Sequence, residues 1–180
     1  MPRNWGPCQM PIPPRITDNS EMCPLPAAFT RAVRRIRLGQ IPTAMTPLAF
    51  KDITDRLGRW PFPARLDGVV GIATGGVVPA ALVARQLGLE LKVMALNYRD
   101  DANEPRFPEP KLLSAVPDLG AWRRILLVDD VWVSGRSWHT ARAALPPDIE
   151  VLPFVLKGQV DWALIRDVDG CVQWPWRVYT

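Results

Sequence analysis

The chain has 180 residues, of which 48% are hydrophobic and 22% are charged, and its formal net charge is +4. A chain of this size can bury one substantial core, so a single domain is expected. The sequence holds no apolar run of transmembrane length, and its pI of about 9.3 is too mildly basic to indicate nucleic-acid binding by itself.

Residues 1–26 hold seven of the 20 prolines and little periodicity, which predicts an extended or disordered arm. This arm lacks the apolar core of a signal peptide, so cytoplasmic residence is the default expectation. The cysteines (Cys8, Cys23 and Cys171) show neither zinc spacing nor an even disulfide framework. We expect free thiols, with a disulfide between the two arm cysteines as the alternative.

Residues 27–46 are expected to form a basic helix and a linker. The helix would run from Pro26 to Leu38, with apolar and basic side chains largely on opposite sides. The basic residues are Arg31, Arg34, Arg35 and Arg37. Such helices sometimes bind RNA or anionic membranes, but a solvated face or a subunit contact is favoured here.

The part of the chain from residue 47 to 180 alternates helical and extended patterns. The expected helices are Pro47–Gly58, Val78–Leu87 and Ser137–Leu145, and the expected strands are Val69–Ile72, Leu91–Leu96, Arg124–Val128 and Val151–Leu156. This order predicts an α/β fold, in which a twisted parallel sheet carries helices on both faces and binds its ligand at the carboxyl ends of the strands.

The most informative segment is an apolar run that ends in two carboxylates. Four aliphatic residues, Ile125–Val128, suit a strand that is covered on both faces, and Asp129 and Asp130 follow directly. Residues Trp138–Leu145 then have a helix-compatible composition, until two prolines stop the helix. The acidic pair is therefore expected at a strand-to-helix turn.

This turn has the composition of a phosphate site. Backbone amides at a helix start attract an anion, while Gly135 permits close approach and Ser134 and Ser137 add hydroxyl donors. The acidic pair beside it would hold a divalent cation or sugar hydroxyls. His139, the only histidine, follows this turn, and we interpret it as a packing residue rather than a catalytic one.

The segment resembles the signature of type I phosphoribosyltransferases, in which two acidic residues precede a Thr/Ser-Gly-x-Thr/Ser phosphate loop. The matching loop here is Ser134-Gly135-Arg136-Ser137. Most purine-using members of that family carry a third acidic residue, which is thought to assist proton transfer, at the position of Val133. The resemblance implies that the loop binds the 5-phosphate of 5-phosphoribosyl diphosphate.

A second segment, Leu66–Ala80, reads as strand, glycine turn and helix and carries the same resemblance. In the family this turn usually ends in Arg-Gly-Gly or Lys-Gly-Gly, binds pyrophosphate through its backbone, and often contains a non-proline cis peptide. Here the turn is Thr74-Gly75-Gly76, so threonine replaces the basic residue. Glycines permit backbone geometries that leave amides free to face an oxyanion.

The strand Leu91–Leu96 is followed by a polar, proline-bearing stretch that extends to about Gly120. Phosphoribosyltransferases carry a mobile loop in this place, and Tyr98 and Arg99 resemble its start. Its closure would exclude water from the reacting sugar. The alternative is a solvated surface connection.

Residues 151–180 resemble the base-binding hood of the xanthine-guanine branch. Lys157, at the end of a strand, would donate to an exocyclic purine oxygen. Cys171 occupies the usual position of a stacking aromatic residue, and Val172 the position of an aliphatic residue that packs on the base. Because a thiol stacks poorly, either a neighbouring tryptophan replaces it or the base differs from guanine and xanthine. Trp174 and Trp176 could equally serve only in packing.

The resemblance implies transfer of a 5-phosphoribosyl group to a nucleobase, with a purine favoured, and release of pyrophosphate. Mg²⁺ would be held by Asp129 and Asp130, and family members commonly form homodimers or homotetramers. The three departures, Thr74, Val133 and Cys171, leave a second hypothesis open. It is a weakly active or inactive regulator that binds 5-phosphoribosyl diphosphate or RNA on the same fold.

Overall fold

The computed structural model describes residues 45–97 and 107–177. The predicted arm and nearly all of the predicted basic helix and linker lie outside these ranges, as do Tyr98 and Arg99. Within the two ranges, no helix combines the length and apolar character needed to cross a membrane.

A six-stranded sheet forms the centre of the described chain. Its strands stand in the order β4-β3-β2-β5-β6-β7, and a separate pair, β1 and β8, forms a two-stranded parallel sheet. The strands are β1 (Thr46–Pro47), β2 (Gly68–Ala73), β3 (Glu90–Asn97), β4 (Lys111–Leu112), β5 (Arg124–Val131), β6 (Glu150–Lys157), β7 (Ala163–Ile165) and β8 (Val172–Gln173).

Five neighbouring strands of the large sheet are mutually parallel: β3, β2, β5, β6 and β7. This confirms the α/β prediction and all four predicted strands. The edge strand β4 is antiparallel to β3, with Leu96 opposite Leu112 and Asn97 opposite Lys111. Sequence reasoning treated that stretch as loop, because a two-residue strand is too short to display a period.

The helices are α1 (Phe50–Arg59), α2 (Val77–Leu87) and α3 (Arg136–Ala144). On one face of the sheet, α1 and α2 contribute to a buried cluster that includes Ile53, Val83 and Phe154. On the other face, Ala141 of α3 packs in a second cluster with Leu127. Helices therefore cover both faces, as the sequence predicts.

The start of helix α1 differs from the prediction. It begins at Phe50 rather than near Pro47, because Thr46 and Pro47 pair with β8 instead. The predicted hood, at about residues 151–180, includes β6 and β7, which continue the main sheet, and the segment that follows them. That last segment is joined to α1 by Arg56, which donates two hydrogen bonds to Asp167 at 2.9 and 2.8 Å.

Candidate active site

The predicted site lies where the chain reverses its direction across the sheet. Strand β2 stands between β3 and β5, so the chain first adds a strand on one side of β2 and later on the other. In open α/β sheets, ligands bind outside the carboxyl ends of the two strands at such a switch point. Here those ends lead into the glycine turn at 74–76 and the phosphate loop at 134–137, so both predicted loops meet at one edge.

The phosphate loop has the geometry of an anion site. Helix α3 begins at Arg136, directly after Gly135, whose φ of +72° favours glycine. The amides of the first helical turn have no partner within the helix and carry a partial positive charge. Ser134 and Arg136 are exposed and Ser137 is partly buried. Arg136 also donates a hydrogen bond to the carbonyl of Pro108 at 3.2 Å, which ties the loop to the segment before β4.

The indole ring of Trp132 packs against the phosphate loop at Gly135, a contact that sequence reasoning missed. A Cβ atom on Gly135 would lie 2.4 Å from Cζ2 of this indole, so the loop rests directly on the ring. The ring also packs against Trp138 and Trp162, with centroids 6.0 and 5.4 Å away. His139 is exposed and meets the Trp132 ring edge-on at 5.9 Å, in agreement with its predicted packing role.

The glycine turn is pressed against the acidic pair. The peptide bond between Ala73 and Thr74 is cis, the feature that the family resemblance implies for this turn. A Cβ atom on Gly75 would lie 2.4 Å from Oδ1 of Asp130, so only glycine fits beside that carboxylate. Thr74 is exposed at the tip of the turn.

Gly76 differs from its predicted role as an amide donor to a ligand. Its N–H donates to the carbonyl of Ile72 at 2.8 Å and is therefore already used within the turn. A Cβ atom at this position would lie 2.4 Å from the carbonyl oxygen of Val128. Gly76 thus allows the turn to approach β5, and Thr74 and Gly75 stay as the predicted ligand-binding residues of the turn.

The two carboxylates at the end of β5 have different environments. The pKa of Asp129 is raised well above its usual range, because burial removes the carboxylate from water and Asp130 repels its charge. The N–H of Asp130 donates to Oδ1 of Asp129 at 2.9 Å, which offsets part of this effect. The ionised form of Asp129 is therefore disfavoured in this environment.

The hood residues reach the same edge through β6 and β8. Lys157 ends β6, stands opposite Val131 in the sheet register, and accepts a hydrogen bond from the Trp132 N–H at 2.8 Å through its carbonyl.

Val133 has 69% of its surface exposed beside the phosphate loop. An apolar surface, without a carboxylate, therefore borders the phosphate loop.

Val172 can contact a ligand only through its backbone, because its side chain is in the core and only 7% exposed. The carbonyl oxygens of the residues before and after Val172 accept hydrogen bonds from the segment of β1. Thr46 N–H donates to the Cys171 carbonyl at 3.0 Å, and Leu48 N–H donates to the Gln173 carbonyl at 3.1 Å. Since successive residues in a parallel ladder point their backbone groups to alternate edges, the N–H and C=O of Val172 face away from β1.

Trp174 and Trp176 of the hood stack on each other, and of these two only Trp174 is buried. Trp174 is 3% exposed in the core, and Trp176 stacks on it with a centroid distance of 5.2 Å and an interplanar angle of 7°. The ring of Trp174 therefore serves in packing. Cys171 is an exposed free thiol, so the predicted stacking position presents little aromatic surface.

Arg177 is a second residue that sequence reasoning missed. Its guanidinium Nη2 lies 3.6 Å from Oδ2 of Asp130, so the end of the hood reaches the acidic pair. Arg177 is far from the acidic pair in the sequence and belongs to no local motif, which is why no pattern pointed to it.

Comparison with known proteins agrees with this geometry. A family model described as the phosphoribosyl transferase domain matches residues 54–145, about half of the chain, from α1 through α3. The chain belongs to the phosphoribosyltransferase domain family. The match includes the glycine turn, the acidic pair and the phosphate loop, and it ends before β6 and the hood.

One curated relative of this phosphoribosyltransferase-family chain belongs to the purine branch. The xanthine-guanine phosphoribosyltransferase of Gluconobacter oxydans is 32% identical over 81 residues, which cover 44% of this chain and 47% of the relative. The chain thus matches about half the length of that curated relative.

Two solved structures share the fold. The purine phosphoribosyltransferase of Pyrococcus horikoshii has a TM-score of 0.58 and 19% identity, over 76% of this chain and 96% of its own. The xanthine-guanine-hypoxanthine phosphoribosyltransferase of Helicobacter pylori has a TM-score of 0.58 and 16% identity, over 75% and 95%.

The donor set fits a magnesium ion that arrives with a phosphorylated substrate. Within residues 45–97 and 107–177, no three His, Cys, Asp or Glu side chains are grouped closely enough to enclose a metal. Mg²⁺ is commonly held by one or two carboxylates together with substrate phosphates and water. The Asp129–Asp130 pair offers those two carboxylates.

A separate groove of about 510 Å³ lies beside α1 and β7 and holds none of the predicted site residues. Its charges are largely neutralised within the protein, since Arg56 pairs with Asp167 and Asp55 pairs with Lys51. The strand ends, rather than this groove, therefore remain the candidate site of this phosphoribosyltransferase-family chain.

The raised pKa of Asp129 predicts a pH-dependent gain in stability for Asp129→Asn, in the absence of metal and phosphates. The folded state holds the proton more tightly than the unfolded chain, so wild-type stability is fully present below the unfolded pKa of about 3.9 and falls as pH rises through the raised pKa. Each tenfold difference in proton affinity corresponds to about 1.4 kcal/mol.

Thermal melting of both proteins between pH 4 and pH 8 measures this effect. We expect the advantage of Asp129→Asn to grow with pH, while Asp161→Asn, at a carboxylate whose side chain is 98% exposed, follows the wild type. A difference in melting temperature that stayed constant with pH, or shrank as pH rose, would contradict the assignment of a raised pKa.

Proposed function

We propose that this protein transfers the 5-phosphoribosyl group of 5-phosphoribosyl diphosphate to a ring nitrogen of a purine and releases pyrophosphate. One observation carries the proposal: the carboxylate of Asp130 lies against the glycine turn, on the strand that leads into the phosphate loop. Two anion-binding loops are thereby separated by a carboxylate pair, which matches a sugar that bears a phosphate at one end and a diphosphate at the other.

The charge and hydrogen-bonding groups of each subsite determine which part of the substrate it would bind. The loop Ser134–Ser137 takes the 5-phosphate through helix-start amides and hydroxyls, and Thr74 and Gly75 take the diphosphate. Asp129 and Asp130 take the ribose hydroxyls, directly or through Mg²⁺. When bound, Mg²⁺ supplies neutralising charge for the pyrophosphate that leaves.

The reaction exchanges one bond at the anomeric carbon for another. The carbon–oxygen bond to the diphosphate breaks, and its electron pair leaves with pyrophosphate. The lone pair of the base nitrogen forms the new carbon–nitrogen bond, and the nitrogen loses its proton. Positive charge develops on the sugar during this exchange, and the carboxylates at the end of β5 stabilise it.

Val133 has no basic group, although the family resemblance implies a carboxylate at its position in purine-using enzymes. The proton of the base must therefore go to water, to another part of the substrate or to pyrophosphate. This departure predicts a slower proton transfer and affects the chemical step more than the binding of the diphosphate substrate.

The base subsite is assembled from the hood. The amino group of Lys157 would donate to an exocyclic purine oxygen, and the backbone N–H and C=O of Val172 would bond the ring edge. With Cys171 at the stacking position, the exposed Val133 would supply the apolar contact with the base. The xanthine-guanine relative supports an oxopurine as the substrate.

The remaining expectations concern the whole protein. A homodimer or homotetramer, a cytoplasmic location and closure of a loop begun by Tyr98 and Arg99 stay predictions. A regulator that binds 5-phosphoribosyl diphosphate without turnover is the second candidate, and the three departures at Thr74, Val133 and Cys171 favour it.

The proposal is tested with the purified chain, 5-phosphoribosyl diphosphate, Mg²⁺ and a panel of guanine, xanthine, hypoxanthine, adenine, uracil and orotate. We expect pyrophosphate release and nucleotide formation with an oxopurine. Reaction only with uracil or orotate would refute the purine assignment. Lack of any product, with calorimetry still showing binding of the diphosphate, would support the regulator.

A further inference from the structure

Arg177 is the last described residue of the hood, and its backbone is firmly anchored. Its N–H donates to the carbonyl of Trp174 at 3.1 Å, and Trp174 is 3% exposed in the core. Trp176, between them, stacks on Trp174. An aromatic turn therefore fixes where the Arg177 side chain starts.

The side chain extends from this turn to the acidic pair. Its Nη2 lies 3.6 Å from Oδ2 of Asp130, which is longer than a hydrogen bond and so leaves the contact a simple ion pair. The Asp130 side chain is 16% exposed and that of Arg177 is 48% exposed. The same carboxylate borders Gly75, so Arg177 and the glycine turn lie around one group.

The glycine turn lacks a positive charge of its own. Thr74 stands where the family resemblance implies lysine or arginine, and Gly75 and Gly76 have no side chains. A diphosphate carries several negative charges, and guanidinium groups bind such oxygens by two parallel hydrogen bonds. Arg177 of the hood brings a positive charge to Asp130, the carboxylate that borders this turn.

We propose that Arg177 binds the diphosphate group and supplies from the hood the positive charge that Thr74 lacks. In the free protein the guanidinium pairs with Asp130, and on substrate binding it turns to the diphosphate oxygens. The inference rests on the proposed function for the location of the diphosphate beside Gly75. It assigns a substrate-binding residue outside the part of the chain that the family model matches.

Calorimetry with two probes tests this role. Inorganic pyrophosphate with Mg²⁺ reports on the diphosphate subsite, and ribose 5-phosphate reports on the loop Ser134–Ser137. Loss of a charge-assisted pair is expected to weaken pyrophosphate binding about tenfold or more in Arg177→Gln. Binding of ribose 5-phosphate should stay within about twofold of the wild type, because its subsite keeps all of its groups.

A rescue variant separates substrate binding from a merely structural role. In Arg177→Gln combined with Thr74→Lys, a positive charge returns at the glycine turn, and we expect pyrophosphate affinity to recover. The matched control is Arg166→Gln, which removes an exposed arginine that pairs with Asp161 at 3.2 Å. It should bind both probes as the wild type does.

Three outcomes would overturn the inference: no binding of pyrophosphate by the wild type, unchanged affinity in Arg177→Gln, or equal weakening for both probes. Recovery in the rescue variant supports it even if no base is ever converted to a nucleotide. In that case the proposed transferase function fails while the assignment of Arg177 stands, so the two failures are distinguishable.

Discussion

Replacement of Asp129 and Asp130 together by asparagine is expected to reduce nucleotide formation by about a thousandfold or more. The reason is electrostatic, since the variant keeps the shape of the site but removes both charges from the end of β5. Under the proposed function, the positive charge that develops on the sugar would then lose both carboxylates that stabilise it. Initial rates with 5-phosphoribosyl diphosphate, Mg²⁺ and the preferred base measure the effect.

Two controls make this result specific. Asp161→Asn removes an exposed carboxylate of the hood and should leave the rate unchanged. Calorimetry with ribose 5-phosphate should show that the double variant still binds a phosphate, because Ser134 and Ser137 are untouched. Unchanged turnover in the double variant would refute the roles of both aspartates.

Gly75→Ala is expected to lower the transfer rate by about a hundredfold or more. The new methyl group would lie 2.4 to 2.7 Å from all three carboxyl atoms of Asp130, so either the turn or the carboxylate must move. A displacement of about 1 Å among reacting groups can cost a hundredfold in rate. Steady-state kinetics and pyrophosphate binding should both report the loss.

The matched control for this variant is Gly58→Ala. Gly58 lies in α1, and a Cβ atom there meets nothing within 4 Å. Because alanine favours the helix over glycine, we expect a gain of about 0.5–1 kcal/mol in stability and no change in rate. Wild-type kinetics in Gly75→Ala would contradict the close approach of the turn to the acidic pair.

The features that sequence reasoning predicted share a local origin. The aliphatic run Ile125–Val128 fixes a strand covered on both faces, and the residues that follow it specify a helix start. A glycine pair after β2 likewise defines a turn. Parallel strands then bring their carboxyl ends to one edge, so two short motifs were enough to predict that the glycine turn and the acidic pair lie together.

The features that it missed depend on three-dimensional contacts, some between distant segments and some within a single turn. Strands β1, β4 and β8 have two residues each, and pairing partners rather than an internal period define them. The use of the Gly76 amide within its own turn is a matter of backbone geometry. The Trp132 ring contacts Gly135 within one loop, and Arg177 reaches Asp130 from a distant segment; composition alone reveals neither contact.

The most direct test of the central claim follows the phosphorus atoms of the substrate. Phosphorus NMR of the wild-type protein with Mg²⁺ and 5-phosphoribosyl diphosphate is recorded before and after addition of an oxopurine. Transfer predicts that the diphosphate resonances convert to inorganic pyrophosphate and that a nucleoside monophosphate resonance appears in equal amount, only when the base is present. Spectra that stay unchanged, or that show the same release of ribose 5-phosphate with and without base, would contradict it.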